Sequence, residues 1–282
     1  MALVKKIYLL LFIKLIFISG CSTGKLFYDF GDEMVSWQVD NYFNITSKQE
    51  EWIEERIRLH LNWHRNKELP RYKAFLIEVQ NKSGDGLTMS ELDEGYARLD
   101  QKRILTFETL LLDTASFLAG ISPEQINFLE KKLIEDNQEM EENLESPEKL
   151  FRERQESFWE EMEDWFGDFS ENQKAKINRL HSEWISGTVD PLVARLERRR
   201  ESQLRFLKQL RLSQDKTELE NWLRRSVINR SGEDNHARQA RILRNKKRIL
   251  QIDNLLTTEQ RMHAIRELDE WIEILDSIIM DN

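Results

Sequence analysis

The chain has 282 residues, with 42 basic and 51 acidic residues, a net charge of −9, and an apolar fraction of 40%. Its single Cys excludes an internal disulfide framework and a Cys-based zinc site. Only 10 Gly and 4 Pro are present, too few for a sandwich or barrel that turns about every 8–12 residues. The apolar fraction suffices for a folded core, and the acidic balance gives no reason to expect nucleic-acid binding.

Residues 1–20 are typical of a secretory signal peptide. Lys5 and Lys6 precede an apolar run from Ile7 to Ile18, which only Lys14 interrupts. This run is shorter than the roughly 20 apolar residues that cross a bilayer, so a cleaved signal is favoured over a membrane-spanning helix. The segment ends in Ile18-Ser19-Gly20-Cys21.

This ending resembles the lipobox of bacterial lipoproteins. The resemblance implies cleavage before Cys21, acylation of Cys21, and a lipid-anchored N-terminal segment over residues 21–44. In that family an Asp after the Cys retains the product at the inner membrane; Ser22 therefore implies the outer membrane, with the protein facing the periplasm. Loss of the signal leaves 39 basic and 51 acidic residues, a net charge of −12.

The rest of the chain is predicted to be helical nearly throughout. Pro123, Pro147 and Pro191 each follow Ser or Asp, which marks helix starts. Loops are expected at 81–88 and 229–235. Apolar residues three or four apart predict an all-α, elongated multi-helix bundle of roughly eight to eleven helices, with its clearest segments at 50–67, 89–118, 124–145, 148–166 and 258–280.

One short motif, which we call a Ser/Thr-x-x-Gln word, occurs four times. It consists of an apolar residue, Ser or Thr, two variable residues, and Gln. We predict that each copy is a capping box, in which the hydroxyl and the Gln satisfy free N–H groups at a helix start. Four copies also favour common ancestry or one folding unit used repeatedly. The hydroxyl and Gln residues are Thr46 and Gln49, Ser122 and Gln125, Ser170 and Gln173, and Thr257 and Gln260.

A faint duplication divides the chain. His60 and Trp63 precede Pro70 at the same spacing at which His181 and Trp184 precede Pro191, although the alignment needs a gap of three residues. We therefore predict two related helical halves, 45–150 and 151–282.

The charge is segregated along the chain. Residues 130–171 contain 16 acidic and 5 basic residues, whereas residues 195–248 contain 17 basic and 7 acidic residues. These blocks are interpreted as solvated faces that pack as charge complements, or as a working surface for an anionic headgroup, a glycan or an acidic partner. The candidate binding residues are Arg198, Arg199, Arg200, Lys246, Lys247 and Arg248.

No motif predicts an enzyme, a metal or a cofactor. His60 and His64 have zinc-site spacing, but Leu61 follows His60 where a metalloprotease has Glu. A di-iron bundle needs two Glu-x-x-His pairs; the chain has one, Glu233 to His236, in a predicted loop. Nucleophile elbows and glycine-rich phosphate loops are absent from the sequence.

Two resemblances remain. With the lipobox, Trp37 to Tyr42 and Asn62 to Tyr72 look like an uncharacterised family of bacterial lipoproteins. The repeated words resemble the LTxxQ motif of Spy-type periplasmic chaperones, which are helical cradles that dimerise and hold unfolding clients; only Leu256 keeps the leading Leu. The resemblance implies a noncatalytic, chaperone-like module with a protein client and a possible homodimer. The alternative is a structural or adaptor lipoprotein that binds one envelope partner through 195–248, and an envelope enzyme is the third and least favoured hypothesis.

Overall fold

The computed structural model describes residues 22–144, 146–185, 191–228 and 233–280. Over these residues the chain is helical and contains no β-strand, which confirms the all-α prediction. The signal peptide and Cys21 lie outside the described residues. The helices are α1 Ser22–Phe43, α2 Ser47–Trp63, α3 Leu69–Lys82, α4 Met89–Ala119, α5 Pro123–Leu144, α6 Pro147–Phe166, α7 Glu171–Ile185, α8 Pro191–Leu212, α9 Lys216–Leu223, α10 Glu233–Asp253 and α11 Thr258–Met280.

Packing divides the chain into two compact units. Among the described residues, the first unit comprises 22–40, 46–85 and 261–280, and the second comprises 41–45 and 86–260. The first unit thus combines residues from both ends of the chain. The two related helical halves, 45–150 and 151–282, and the duplication behind them stay predictions.

The first unit packs α1, α3 and α11 around Leu69, Ile274 and Ile278. A π-helical turn, His64–Glu68, joins α2 to α3, and the N–H of Leu69 reaches back five residues to the carbonyl of His64. Pro70 follows and has no N–H to continue the ordinary four-residue pattern, which accounts for a break in the helix at this point. Glu68 is fully buried in the turn, and Arg71 donates to its carboxylate at 2.6 Å.

The second unit contains two apolar clusters. The larger includes Leu111, Leu210 and Leu219, from α4, α8 and α9. The smaller includes Met162, Ile177 and Ile252, from α6, α7 and α10. Both clusters are built from one apolar stripe per helix, as the spacing of three and four residues predicts.

The helix starts follow the sequence signals more closely than the loops do. α5, α6 and α8 begin at Pro123, Pro147 and Pro191. The loop predicted at 81–88 is wrong over its first part, because α3 runs to Lys82 and a 3₁₀ turn, Ser83–Asp85, follows. The loop predicted at 229–235 is wrong from Glu233, where α10 begins; residues 229–232 lie outside the described part.

Taken singly, none of the helices in the described ranges is long and apolar enough to cross a membrane. α4 together with Pro123–Glu142 of α5 passes the same test of length and composition, with a bend of 113° between them.

Candidate functional site

The four Ser/Thr-x-x-Gln words all form capping boxes. In each, the hydroxyl oxygen accepts from the backbone N–H of the Gln at 3.2–3.4 Å. The Gln Oε1 accepts from the backbone N–H of the hydroxyl residue at 3.0 Å. These bonds satisfy two of the N–H groups that a helix start leaves open. The pairs are Thr46 and Gln49, Ser122 and Gln125, Ser170 and Gln173, and Thr257 and Gln260.

Three of these Gln side chains also connect one helix start to another. Gln125 Nε2 donates to the carbonyl of Asn44 at 3.3 Å. Gln173 Nε2 donates to the carbonyl of Leu255 at 2.8 Å, and Gln260 Nε2 donates to the carbonyl of Asp168 at 2.8 Å. Each accepting residue lies two positions before the Ser or Thr of another word. These three words therefore each cap one helix and also bond to the segment that precedes another.

An aromatic cluster surrounds His181 in the second unit. The His181 ring stacks on Phe158, with centroids 4.8 Å apart. Trp184 Nε1 donates to Gln251 Oε1 at 3.1 Å, and the Arg248 guanidinium lies over the Trp184 ring at 5.2 Å. Burial lowers the pKa of His181, and the positive charges of Arg248 and Arg154 lower it further. The native cluster therefore favours the neutral imidazole.

The seam between α5 and α8 combines exposed apolar side chains with ion pairs. Arg211 forms a bidentate pair with Glu130, at 3.1 and 2.6 Å, and Arg200 donates to Glu141 at 2.7 Å. Between these pairs the helical spacing places Ile134 on α5 and Leu204 on α8, which are 51% and 64% exposed. We call this surface the α5–α8 seam; its residues are Glu130, Ile134, Glu141, Arg200, Leu204 and Arg211.

The acidic and basic blocks meet at this seam. Besides the two pairs above, Arg199 contacts Asp136 at 3.4 Å. Asp136 also accepts from the Tyr42 hydroxyl at 2.6 Å, and burial together with this bond raises the pKa of Tyr42 to about 12. Part of the segregated charge is therefore used in packing within the chain, which is one of the two interpretations of the blocks.

The six candidate binding cations lie on two helices. Arg199 and Arg200 pair with acidic residues of α5, while Arg198 is exposed on α8. On α10, Lys246 is buried, pairs with Asp93 at 2.7 Å and lies over the Tyr96 ring. Arg248 donates to the Trp184 carbonyl at 3.0 Å, and Lys247 is exposed. Four of the six thus have contacts within the chain.

The outer face of α10 carries two further cations, Arg241 and Arg244, beside the candidate Lys247. Arg241, Arg244 and Lys247 are exposed, and Leu243, which lies between Arg241 and Arg244 in the sequence, is 48% exposed. The opposite face is neutralised by α4: Arg238 pairs with Asp100, and Lys246 pairs with Asp93. The sequence signal for this face is the run from 235 to 252, which contains six Arg or Lys and no Asp or Glu.

The histidine motifs considered as metal sites are placed as follows: His64 makes a hydrogen bond within the first unit, and Glu233 to His236 begin a helix. The Tyr28 hydroxyl bonds His64 Nδ1 at 2.5 Å, and burial raises the pKa of Tyr28. The Glu233 to His236 pair lies in the first turn of α10 and not in a loop. Acidic residues are stabilising near the N-terminus of a helix, which explains a helix start at this point. Over the residues that the structure describes, no three His, Cys, Asp or Glu side chains are grouped as a metal site requires.

A fifth capping box was missed in the sequence. Thr88 and Glu91 cap α4, with Glu91 Oε2 accepting from the Thr88 backbone N–H at 2.8 Å. The signal was present as Thr-x-x-Glu, but it lies at the end of the loop predicted at 81–88.

Comparison with protein families gives a match over most of the chain. A family model described as "Family of unknown function (DUF6279)" matches residues 41–232. This range includes both helices of the α5–α8 seam and ends before α10 begins. The comparison with curated proteins found no match, and the comparison with solved structures found none either.

Proposed function

We propose a function for a chain that belongs to the Family of unknown function (DUF6279), which offers no activity to carry over. The protein is a noncatalytic, lipid-anchored lipoprotein of the outer membrane that faces the periplasm. There it binds exposed segments of other envelope proteins in a chaperone-like manner. Its binding surface is the α5–α8 seam.

The observation that carries this proposal is the composition of the seam. Ile134 and Leu204 expose apolar surface between two ion pairs, Glu130–Arg211 and Glu141–Arg200. An apolar centre with a polar, solvent-accessible rim is the usual arrangement of a protein-binding surface. A client segment with apolar side chains would cover Ile134 and Leu204, and its polar groups would meet the charged rim. Binding of this kind needs no reacting group.

Two sequence features support the proposed membrane location and the proposed chaperone-like binding. The Ile18 to Cys21 ending resembles a lipobox, which supports anchoring through Cys21. The repeated words resemble the LTxxQ motif of the Spy-type chaperones, which supports a client-holding role and a possible homodimer. The words lie at helix starts and connect them, so in this proposal they organise the scaffold that presents the seam.

The alternative is an adaptor that binds one envelope partner through the basic region 195–248. Exposed Arg198 and Lys247 favour it. A single basic surface made from all six residues is disfavoured, because four of them make contacts within the chain. These four are Arg199, Arg200, Lys246 and Arg248. Crosslinking in the envelope separates the two roles, because an adaptor gives one dominant partner and a chaperone-like protein gives a diffuse set.

The direct experiment uses the chain from Ser22 onward, which contains every residue that the structure describes. It is added to an aggregating model client, and light scattering is recorded. We expect suppression at equal or substoichiometric amounts, and loss of suppression in the double variant Ile134→Ser, Leu204→Ser. No suppression by the wild-type chain at several-fold excess contradicts the proposal. Equal suppression by the double variant contradicts the assignment to the seam.

A further inference from the structure

The outer face of α10 is a basic ridge, which we define by Arg241, Leu243, Arg244 and Lys247. The three cations are spaced three residues apart, so they rise about 4.5 Å from one to the next along the helix. Within the described residues none of the three contacts an acidic side chain. They therefore differ from Arg238 and Lys246 on the same helix, whose charges Asp100 and Asp93 neutralise.

The ridge is unusual in a chain of this charge. Its helix has six cations and no acidic residue from 235 to 252, whereas the chain as a whole has nine more acidic than basic residues. Three cations held on one exposed face create a local positive potential that attracts anions within about 8–10 Å at physiological salt. The negative net charge of the protein repels anions. An anionic surface is therefore attracted only when the protein turns α10 towards it.

We propose that the basic ridge binds the anionic phospholipid headgroups of the membrane surface. Arg241 and Arg244 match phosphate groups through their guanidinium forks, and Lys247 adds a third charge. Leu243, which is 48% exposed, lies beside Lys247 at the edge of this face, because successive helical residues turn by about 100°. From this edge it enters the boundary between headgroups and acyl chains. A basic helix with apolar residues at the same surface is typical of interfacial binding.

Charge complementarity and the convex shape of a single helix face favour a lipid surface over an acidic protein. A headgroup layer needs no matching groove, and it accepts both the cations and Leu243. The ridge would act as a second attachment beside the predicted acyl chains on Cys21. The inference shares the membrane location with the proposed function, but it requires neither acylation nor client binding.

The test is sedimentation of the chain from Ser22 onward with phosphatidylethanolamine vesicles that contain or lack phosphatidylglycerol. We expect binding to the anionic vesicles that weakens as salt rises. The triple variant Arg241→Glu, Arg244→Glu, Lys247→Glu should bind at least about 100-fold more weakly, since each cation near an anionic surface contributes a factor of about five. Leu243→Ser should reduce the binding that persists at high salt.

A matched control changes the net charge equally. Arg195, Lys208 and Lys216 are exposed on α8 and α9, and the variant Arg195→Glu, Lys208→Glu, Lys216→Glu should keep most of the vesicle binding. Equal binding of the wild-type chain to vesicles with and without phosphatidylglycerol overturns the inference. So does equal loss in the control variant, which would indicate net charge alone. Binding of the ridge to an acidic polypeptide with no vesicle binding also overturns it. In each case client suppression at the α5–α8 seam is still measured separately.

Discussion

Gln173 donates a hydrogen bond from Nε2 to Oε1 of Gln260 at 2.8 Å, so two repeated words 87 residues apart meet through their last residues. The same Nε2 donates to the Leu255 carbonyl, and Gln260 Nε2 returns a bond to the Asp168 carbonyl. This relationship explains why these words end in Gln. A Glu suffices for capping alone, as Glu91 shows at the start of α4, but a carboxylate has no N–H to donate.

The change Gln260→Glu should therefore destabilise the second unit. Glu can still accept from the Thr257 N–H, but it places a buried carboxylate oxygen against the Asp168 carbonyl. We expect the free energy of unfolding to fall by about 1–3 kcal/mol. Urea unfolding followed by circular dichroism measures this. The reverse change Glu91→Gln is the control, and a loss there as large as in Gln260→Glu would refute the role given to the amide.

Two Leu residues on α8 differ in burial, so their substitution compares the stability contributed by core packing with that contributed at the surface. Leu210 is 1% exposed and Leu212 is 69% exposed. Leu210→Ala leaves a cavity in the larger apolar cluster and should cost about 2–5 kcal/mol. Leu212→Ala should stay within about 0.5 kcal/mol of the wild type. Thermal and urea unfolding of the two variants check the buried cluster directly; equal losses would contradict the placement of α8.

The stability should depend on pH through His181. Its pKa is lowered in the folded chain by burial and by Arg248 and Arg154, so the unfolded chain, with a pKa of about 6.5, binds the proton more readily. This contribution to stability is present above about pH 6.5 and is lost as the pH falls below that value.

We expect His181→Gln to lose less stability than the wild type between pH 7.5 and 5.5, measured as urea midpoints at each pH. The exposed His236 provides the control through His236→Gln, which should follow the wild-type curve. Parallel curves for the wild type and His181→Gln would show that the aromatic cluster does not disfavour the charged imidazole.

The anchor has a direct genetic test. Cys21→Ser should abolish incorporation of labelled fatty acid, because the thioether to the lipid cannot form. The attachment that then remains, through the basic ridge, should weaken as salt rises, so a wash at high salt should release the variant from the membrane fraction far more than the wild type. Ser22→Asp should keep the label but move the protein to the inner membrane, as the lipobox resemblance implies. Continued fatty-acid labelling of Cys21→Ser would rule out Cys21 as the attachment site.

The sequence predicted the local features of the fold well. Two kinds of feature depend only on residues within one helical turn, so the spacing in the sequence reveals them. These are the helix starts at Pro123, Pro147 and Pro191 and the capping boxes that contain Gln125 and Gln173. The contacts between distant residues could not be read in this way. Neither the reciprocal bonding of the words nor the neutralisation of Lys246 by Asp93 follows from spacing, because both depend on which helices pack together.

The candidate sites show the same difference. The charge blocks indicated a pairing of acidic and basic helices, but not that Arg199 and Arg200 would be used in it. Exposed Ile134 and Leu204 follow the helical period of their neighbours, so only packing distinguishes them from core residues. The loop predicted at 229–235 is wrong from Glu233 onward. Gly232 favours a loop in the sequence, but acidic residues such as Glu233 and Asp234 favour the N-terminus of a helix.

Photo-crosslinking in the cell tests most directly whether the α5–α8 seam binds many envelope clients, as we propose. A photoreactive amino acid replaces Leu204 in the full-length chain, and the matched position Leu59 of α2, which is similarly exposed, serves as control. We predict crosslinked products of many sizes from position 204 and few from position 59. A single dominant product, no product, or equal products at both positions would contradict the claim.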